Sequence, residues 1–144
     1  MLRMKFVFCL VLLCLSFIIN SCECVVQICA DSFMFRLLDK QTHKDLVYGD
    51  NPRYVEDSVF VVWQPGSSDR MSFPTGAKFM NNMVGPADTL YLHLSPNDYD
   101  TLVMTYSYRQ TRCCNAPKGF AMVSSIQFNG MPAPYEKGNF LLLK

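Results

Sequence analysis

The sequence predicts an all-β domain, an antiparallel β-sandwich of about seven strands. Three observations predict it. Short runs rich in β-branched and aromatic residues recur along the chain. Clusters of Gly, Pro, Asn, Asp and Ser separate them at roughly the 8–12-residue spacing of sandwiches. Beyond the N-terminal segment, no stretch carries a helical period. A small β-barrel is the alternative, because strand number does not separate a closed sheet from an open pair.

The first segment is different. Arg3 and Lys5 precede residues 6–19, an almost unbroken apolar run with one hydroxyl, Ser16. A helix rises about 1.5 Å per residue, so crossing a bilayer core takes roughly 20 apolar residues. The run is too short to span and has the length of a signal-peptide core, with the charge on the correct side. Residues 19–22, Ile-Asn-Ser-Cys, resemble a bacterial lipobox: an aliphatic residue, a small one, then cysteine. That resemblance implies a thioether-linked diacylglycerol on Cys22, removal of residues 1–21 and palmitate-type acylation of the new amino terminus. One acyl chain holds a protein marginally, and two or more hold it stably. The competing reading is a plain secretory signal in which Cys22 is one more disulfide cysteine. Residues 140–144 are too short for the tail of a glycolipid-anchor signal.

Composition limits the rest. Without residues 1–21, 123 of the 144 residues remain, enough for one domain with a core. The leader removes two basic residues and no acid, leaving eleven basic against twelve acidic side chains. A chain so nearly neutral has no electrostatic reason to seek nucleic acid. The expected organisation is a signal over 1–21, a lipidated tether over 22–31 and a sandwich over 32–144.

Within the sandwich, residues 32–38 alternate Phe33, Phe35 and Leu37 with Ser32, Met34 and Arg36, the pattern of a half-buried strand. Residues 39–45 form a polar turn. Residues 46–48 read as a brief return strand, stopped by Pro52. Residues 58–64, Ser-Val-Phe-Val-Val-Trp-Gln, are the strongest β stretch; apolar on both faces, they suggest a central strand with Trp63 buried. Residues 71–85 are broken by Pro74, Gly76 and Gly85, with room for a short strand near Phe79. Residues 89–94 place Leu90, Leu92 and Leu94 inward, Tyr91 and His93 outward. Leu102, Met104, Tyr106 and Tyr108 share a face of the next strand. Residues 110–119 are a loop. Residues 120–128 form a strand with Phe120, Met122, Ile126 and Phe128 in phase, and Asn129-Gly130 suits a tight turn. Residues 140–143 make the last strand.

Residues 33–39 (Phe-Met-Phe-Arg-Leu-Leu-Asp), 44–49 (Lys-Asp-Leu-Val-Tyr-Gly) and 51–54 (Asn-Pro-Arg-Tyr) resemble the opening of small lipoproteins of the Bacteroidota cell envelope. Later segments match more loosely: 88–90, 100–102, Cys113-Cys114 and 126–130. The resemblance implies an immunoglobulin-like or transthyretin-like sandwich, lipid-anchored at an outer membrane. It implies no activity and no site residue beyond the lipid cysteine.

The remaining cysteines are Cys24, Cys29, Cys113 and Cys114. Four cysteines allow three pairings. Adjacent α-carbons sit about 3.8 Å apart, too close for an ordinary Cys113–Cys114 bond. Crosslinks from Cys24 and Cys29 to the later pair are therefore expected in an oxidising compartment. A thiolate zinc site lacks the short paired spacing that zinc ligands show. No cofactor and no metal is expected. His43 falls in a turn and His93 on an outer strand face, both expected in solvent. Asn97, Asp98 and Asp100 lack the twelve-residue loop of a calcium hand, so local turn hydrogen bonds are expected there. No catalytic motif is present.

The expected function is a lipid-anchored, non-enzymatic envelope module that binds, adheres or assembles through loops or an open sheet edge such as residues 140–143. Its partners are then the membrane, through Cys22, and an envelope protein or glycan. The alternative is a thiol-dependent enzyme or redox protein using Cys113 or Cys114, with Arg109 and Arg112 nearby in sequence.

Overall fold

A computed structural model describes residues 29–82, 87–111, 114 and 117–144. The predicted signal helix, the lipobox, Cys22, Cys24, Arg112 and Cys113 lie outside the described residues.

Among the described residues, ten strands form two five-stranded sheets. In chain order they are β1 (Phe33–Leu38), β2 (Phe60–Val62), β3 (Ser72–Pro74), β4 (Phe79–Asn81), β5 (Thr89–Ser95), β6 (Asp98–Arg109), β7 (Phe120–Phe128), β8 (Met131–Pro132), β9 (Tyr135–Glu136) and β10 (Asn139–Leu143). One sheet runs β3-β4-β1-β10-β9 and the other β2-β5-β6-β7-β8. Neither closes on itself, so the molecule is a sandwich. The pairings between these strands are antiparallel except β1 with β10, which lie parallel in the middle of their sheet.

The core follows from alternation. Phe35, Leu37, Phe79 and Leu142 face inward from one sheet. Leu90, Leu92, Leu94, Leu102, Met104 and Ile126 meet them from the other. Phe35 stacks on Phe79 with ring centres 5.4 Å apart. The burial of β5 alternates residue by residue, as its sequence predicts.

Four expectations change. Residues 46–48 are not a strand. The Asp45 carboxylate accepts the N–H groups of Val47 and Tyr48 at 2.9 and 2.8 Å, which winds the chain into a turn. The stretch 58–64 contributes only the three residues of β2, and β2 is an edge. Its two apolar faces have a local cause. The segment leading into β3 folds over that edge, where Met71 N–H donates to Val61 C=O and Val61 N–H donates to Ser72 Oγ, both at 2.8 Å. Trp63 lies just past the strand and is exposed.

The third change is in β7. Its pairing with β6 steps from Thr105↔Ser125 to Tyr106↔Val123, which leaves Ser124 as an extra residue. Such a bulge reverses the in–out parity of everything beyond it. Ala121 is therefore buried with Ile126 and Phe128, while Phe120 and Met122 lose the inward phase expected of them. Ser124 Oγ donates to Thr105 C=O at 3.0 Å and holds the bulge.

Fourth, residues 140–143 are no edge. β10 is flanked by β1 and β9. A hairpin missing from the sequence reading supplies the second neighbour. Lys137 (φ 48°) and Gly138 (φ 82°) make a two-residue turn with both φ angles positive, as Asn129 (φ 50°) and Gly130 (φ 78°) do between β7 and β8.

Candidate functional site

Before β1, the chain passes along the outer edge of β7. Ala121 N–H donates to Cys29 C=O and Asp31 N–H donates to Ala121 C=O, both at 2.9 Å. This is a one-residue parallel bridge between Ala30 and Ala121. The chain then leaves β7 for the opposite sheet. At the far end of the same edge, Ala133 N–H donates to Ile126 C=O, and β8 pairs with Gln127 and Phe128. Between these two clamps, residues 122–125 have no strand neighbour on their outer side among the described residues.

A cleft of about 380 Å³ lies against this gap. Residues 122–124 form one wall. Residues 31–34 form another as they diverge toward β1, and the β9–β10 hairpin brings Tyr135, Gly138 and Phe140 to the third. Phe33 meets Phe140 edge-on at 6.1 Å, and Tyr135 packs on Phe140 at 4.8 Å. Phe33 and Phe140 are buried; Tyr135 is 64% exposed. Among the described residues of the lining, Asp31 carries the only charge. Strand geometry adds the polar part. Successive N–H and C=O pairs point to opposite sides of a strand, so Val123 directs its pair the same way as Ala121, into the cleft. The site therefore combines backbone donors and acceptors, an aromatic floor and one carboxylate.

Of the residues singled out in the sequence, Phe140 lines this cleft and Cys29 bonds its edge through its carbonyl, while the histidines, Arg109, Asp98 and Asp100 lie elsewhere. Cys29 and Cys114 are joined by a disulfide, with α-carbons 5.5 Å apart. Cys114 is buried. Arg109 packs its guanidinium over Phe120 at 5.6 Å. His43 is in solvent, in a turn whose φ is 55°. His93 is not fully exposed: its ring stacks on Phe60 at 4.3 Å and Nδ1 lies 2.7 Å from Ser58 C=O, the geometry of an Nδ1–H donor. Phe60, His93 and Tyr99 stand in a row across the outer face of their sheet, ring against ring. Rings packed this way present edges rather than open faces, so the row is a poor sugar platform.

Asp98 and Asp100 converge on Lys144. Its ammonium lies 2.9 Å from Asp98 and 2.6 Å from Asp100. Asn129 Nδ2 donates to Asp100 at 2.7 Å, and Tyr54 hydroxyl donates to Asp98 at 3.2 Å. These carboxylates fasten the end of β10 to the other sheet. Among the described residues, no group of three or more His, Cys, Asp or Glu side chains is placed to hold a metal ion.

The cleft escaped the sequence reading for two reasons. Its wall depends on the bulge at Ser124, and its rim on the Lys137–Gly138 turn. The second had a visible signal, a residue-Gly pair between two short apolar-containing runs. No family model, no curated protein and no solved structure matches this chain.

Proposed function

We propose that the chain is a non-enzymatic binding module, lipid-anchored through Cys22 at the outer membrane of a bacterial cell envelope, which recognises an envelope partner at the cleft beside β7. The observation that carries this reading is the position of that cleft. It opens next to Asp31, where the predicted tether joins the sandwich. Nine residues from Cys22 reach at most about 30 Å when extended, so an anchored molecule holds the cleft close to the bilayer. The Cys29–Cys114 bond supports an oxidising compartment outside the cytoplasm. It also ties the base of the tether to the loop before β7, so that pull on the anchor is borne by a covalent bond rather than by two hydrogen bonds. The thiol-enzyme reading gains nothing at Cys114, whose sulfur is buried and bonded.

Fractionation of cells making the full chain tests the proposal. The wild type is expected in membranes, resisting a salt wash and leaving only with detergent, while Cys22→Ala is expected in the soluble envelope fraction. Equal distribution of the two proteins would refute anchoring at this cysteine.

A further inference from the structure

We propose that the uncovered stretch of β7 takes an extended peptide segment of apolar and basic residues, paired through the Val123 backbone. The inference rests on the binding reading above for its site, and it does not need the lipid anchor.

The chain itself demonstrates the mode of pairing. Residues 29–31 already add to this edge as an extended segment, exchanging two 2.9 Å hydrogen bonds with Ala121. Val123, two positions on, points an equivalent N–H and C=O into the cleft. An added strand there gains backbone hydrogen bonds for affinity, and alternate side chains supply specificity. One side of such a strand faces Phe33, Phe140 and Tyr135, which suits an aliphatic or aromatic residue. The gap runs only from Ala121 to Ile126, about 17 Å at the usual rise, so the fit is to a short segment.

Charge selects the flanking residues. Asp31 is the one charged group among the described lining residues and is exposed. On the neighbouring hairpin, Glu136 and Lys137 offset each other. No described residue of the lining is cationic, so Lys or Arg beside the apolar residue is favoured and Asp or Glu is disfavoured. Edge pairing between two copies is the competing occupant. It would place two Asp31 carboxylates at one junction, a like-charge contact that disfavours it.

The test uses the full-length protein in a non-ionic detergent, with a fluorescent peptide of alternating valine and lysine as probe. A peptide alternating valine and glutamate and a protein-free micelle serve as controls. The lysine peptide is expected to bind at least tenfold more tightly than the glutamate peptide. Asp31→Asn is expected to narrow that ratio several-fold. Val123→Pro removes an edge donor, and the expected loss is at least tenfold. Should Val123→Pro fail to fold by circular dichroism, slowed amide exchange at residues 122–124 on adding peptide decides instead. Equal binding of both peptides, protection elsewhere, or a concentration-dependent dimer using the same edge would overturn the proposal. A protein that is membrane-anchored but ignores the peptide would sink this inference alone. One that binds the peptide but carries no lipid would sink the anchor alone.

Discussion

Cys29 and Cys114 lie 85 positions apart in the chain and are bonded to each other at the mouth of the tether. Closing so long a loop removes entropy from the unfolded chain, by about 4–5 kcal/mol on the chain-entropy model. Replacing both cysteines with serine is expected to lower unfolding stability by up to that amount in urea titrations. A loss below about 1 kcal/mol would mean that the unfolded chain is constrained by other means.

Lys144 and Asp100 give a second prediction. Asp100 is 7% exposed, and Lys144 is its cationic partner at 2.6 Å. Removing one member of a buried pair strands the other, at about 3–5 kcal/mol when burial is complete. Asp98 is partly solvated, which reduces the penalty. Lys144→Met is expected to cost about 2–3 kcal/mol, and Asp100→Asn in the same background to recover part of it. Measured coupling near zero would show that the network is not held together by charge.

Alkali should weaken the fold through several groups at once. Burial pushes the Tyr48 phenol from 10.0 to about 12. Burial likewise raises Tyr54 and Tyr106. For Lys144, burial alone pulls the ammonium down, but the hydrogen bonds it donates to Asp100 and Asp98 offset this and leave it raised. A raised folded value means the protonated form is favoured in the fold. That stability is complete below the unfolded value and is lost as pH climbs through the folded one. Tm is therefore expected to fall between pH 10.0 and about 12, and to fall less in Tyr48→Phe. Identical alkaline slopes for the two proteins would exclude Tyr48 as a contributor.

Gly119 and Gly66 have nearly the same φ, 85° and 83°, but different surroundings. A Cβ at Gly119 would meet Arg109 C=O at 2.5 Å, while one at Gly66 meets nothing within 4 Å. Gly66→Ala should cost only the left-handed backbone penalty, about 1 kcal/mol. Gly119→Ala adds a clash with a fixed carbonyl at the start of β7 and should cost at least about 1 kcal/mol more. Equal losses in denaturant melts would show that this close approach is unimportant.

Much of the fold was legible in the sequence because alternation is local. The inward set of β5 and the Asn129-Gly130 turn need only neighbouring residues to be recognised. What escaped depends on partners distant in sequence. Nothing within residues 60–62 shows that Ser72 will cover Val61, so an edge strand reads as a central one. The parity change at Ser124 is set by its register against Thr105. The last strand reads as an edge until β9 is known to return beside it. For the site, a bond from the N-terminal cysteines to the later pair was visible, and which members would meet, Cys29 with Cys114, was not. The cleft is assembled from three segments, none of which carries a signature by itself.

Intact mass spectrometry of the protein purified from its native membrane tests the account most directly. The predicted species begins at Cys22, carries diacylglycerol and an amino-terminal acyl chain, and gains at least the two hydrogens of one disulfide on reduction. A product that keeps residues 1–21, or that begins at Cys22 with an unmodified thiol, would contradict it.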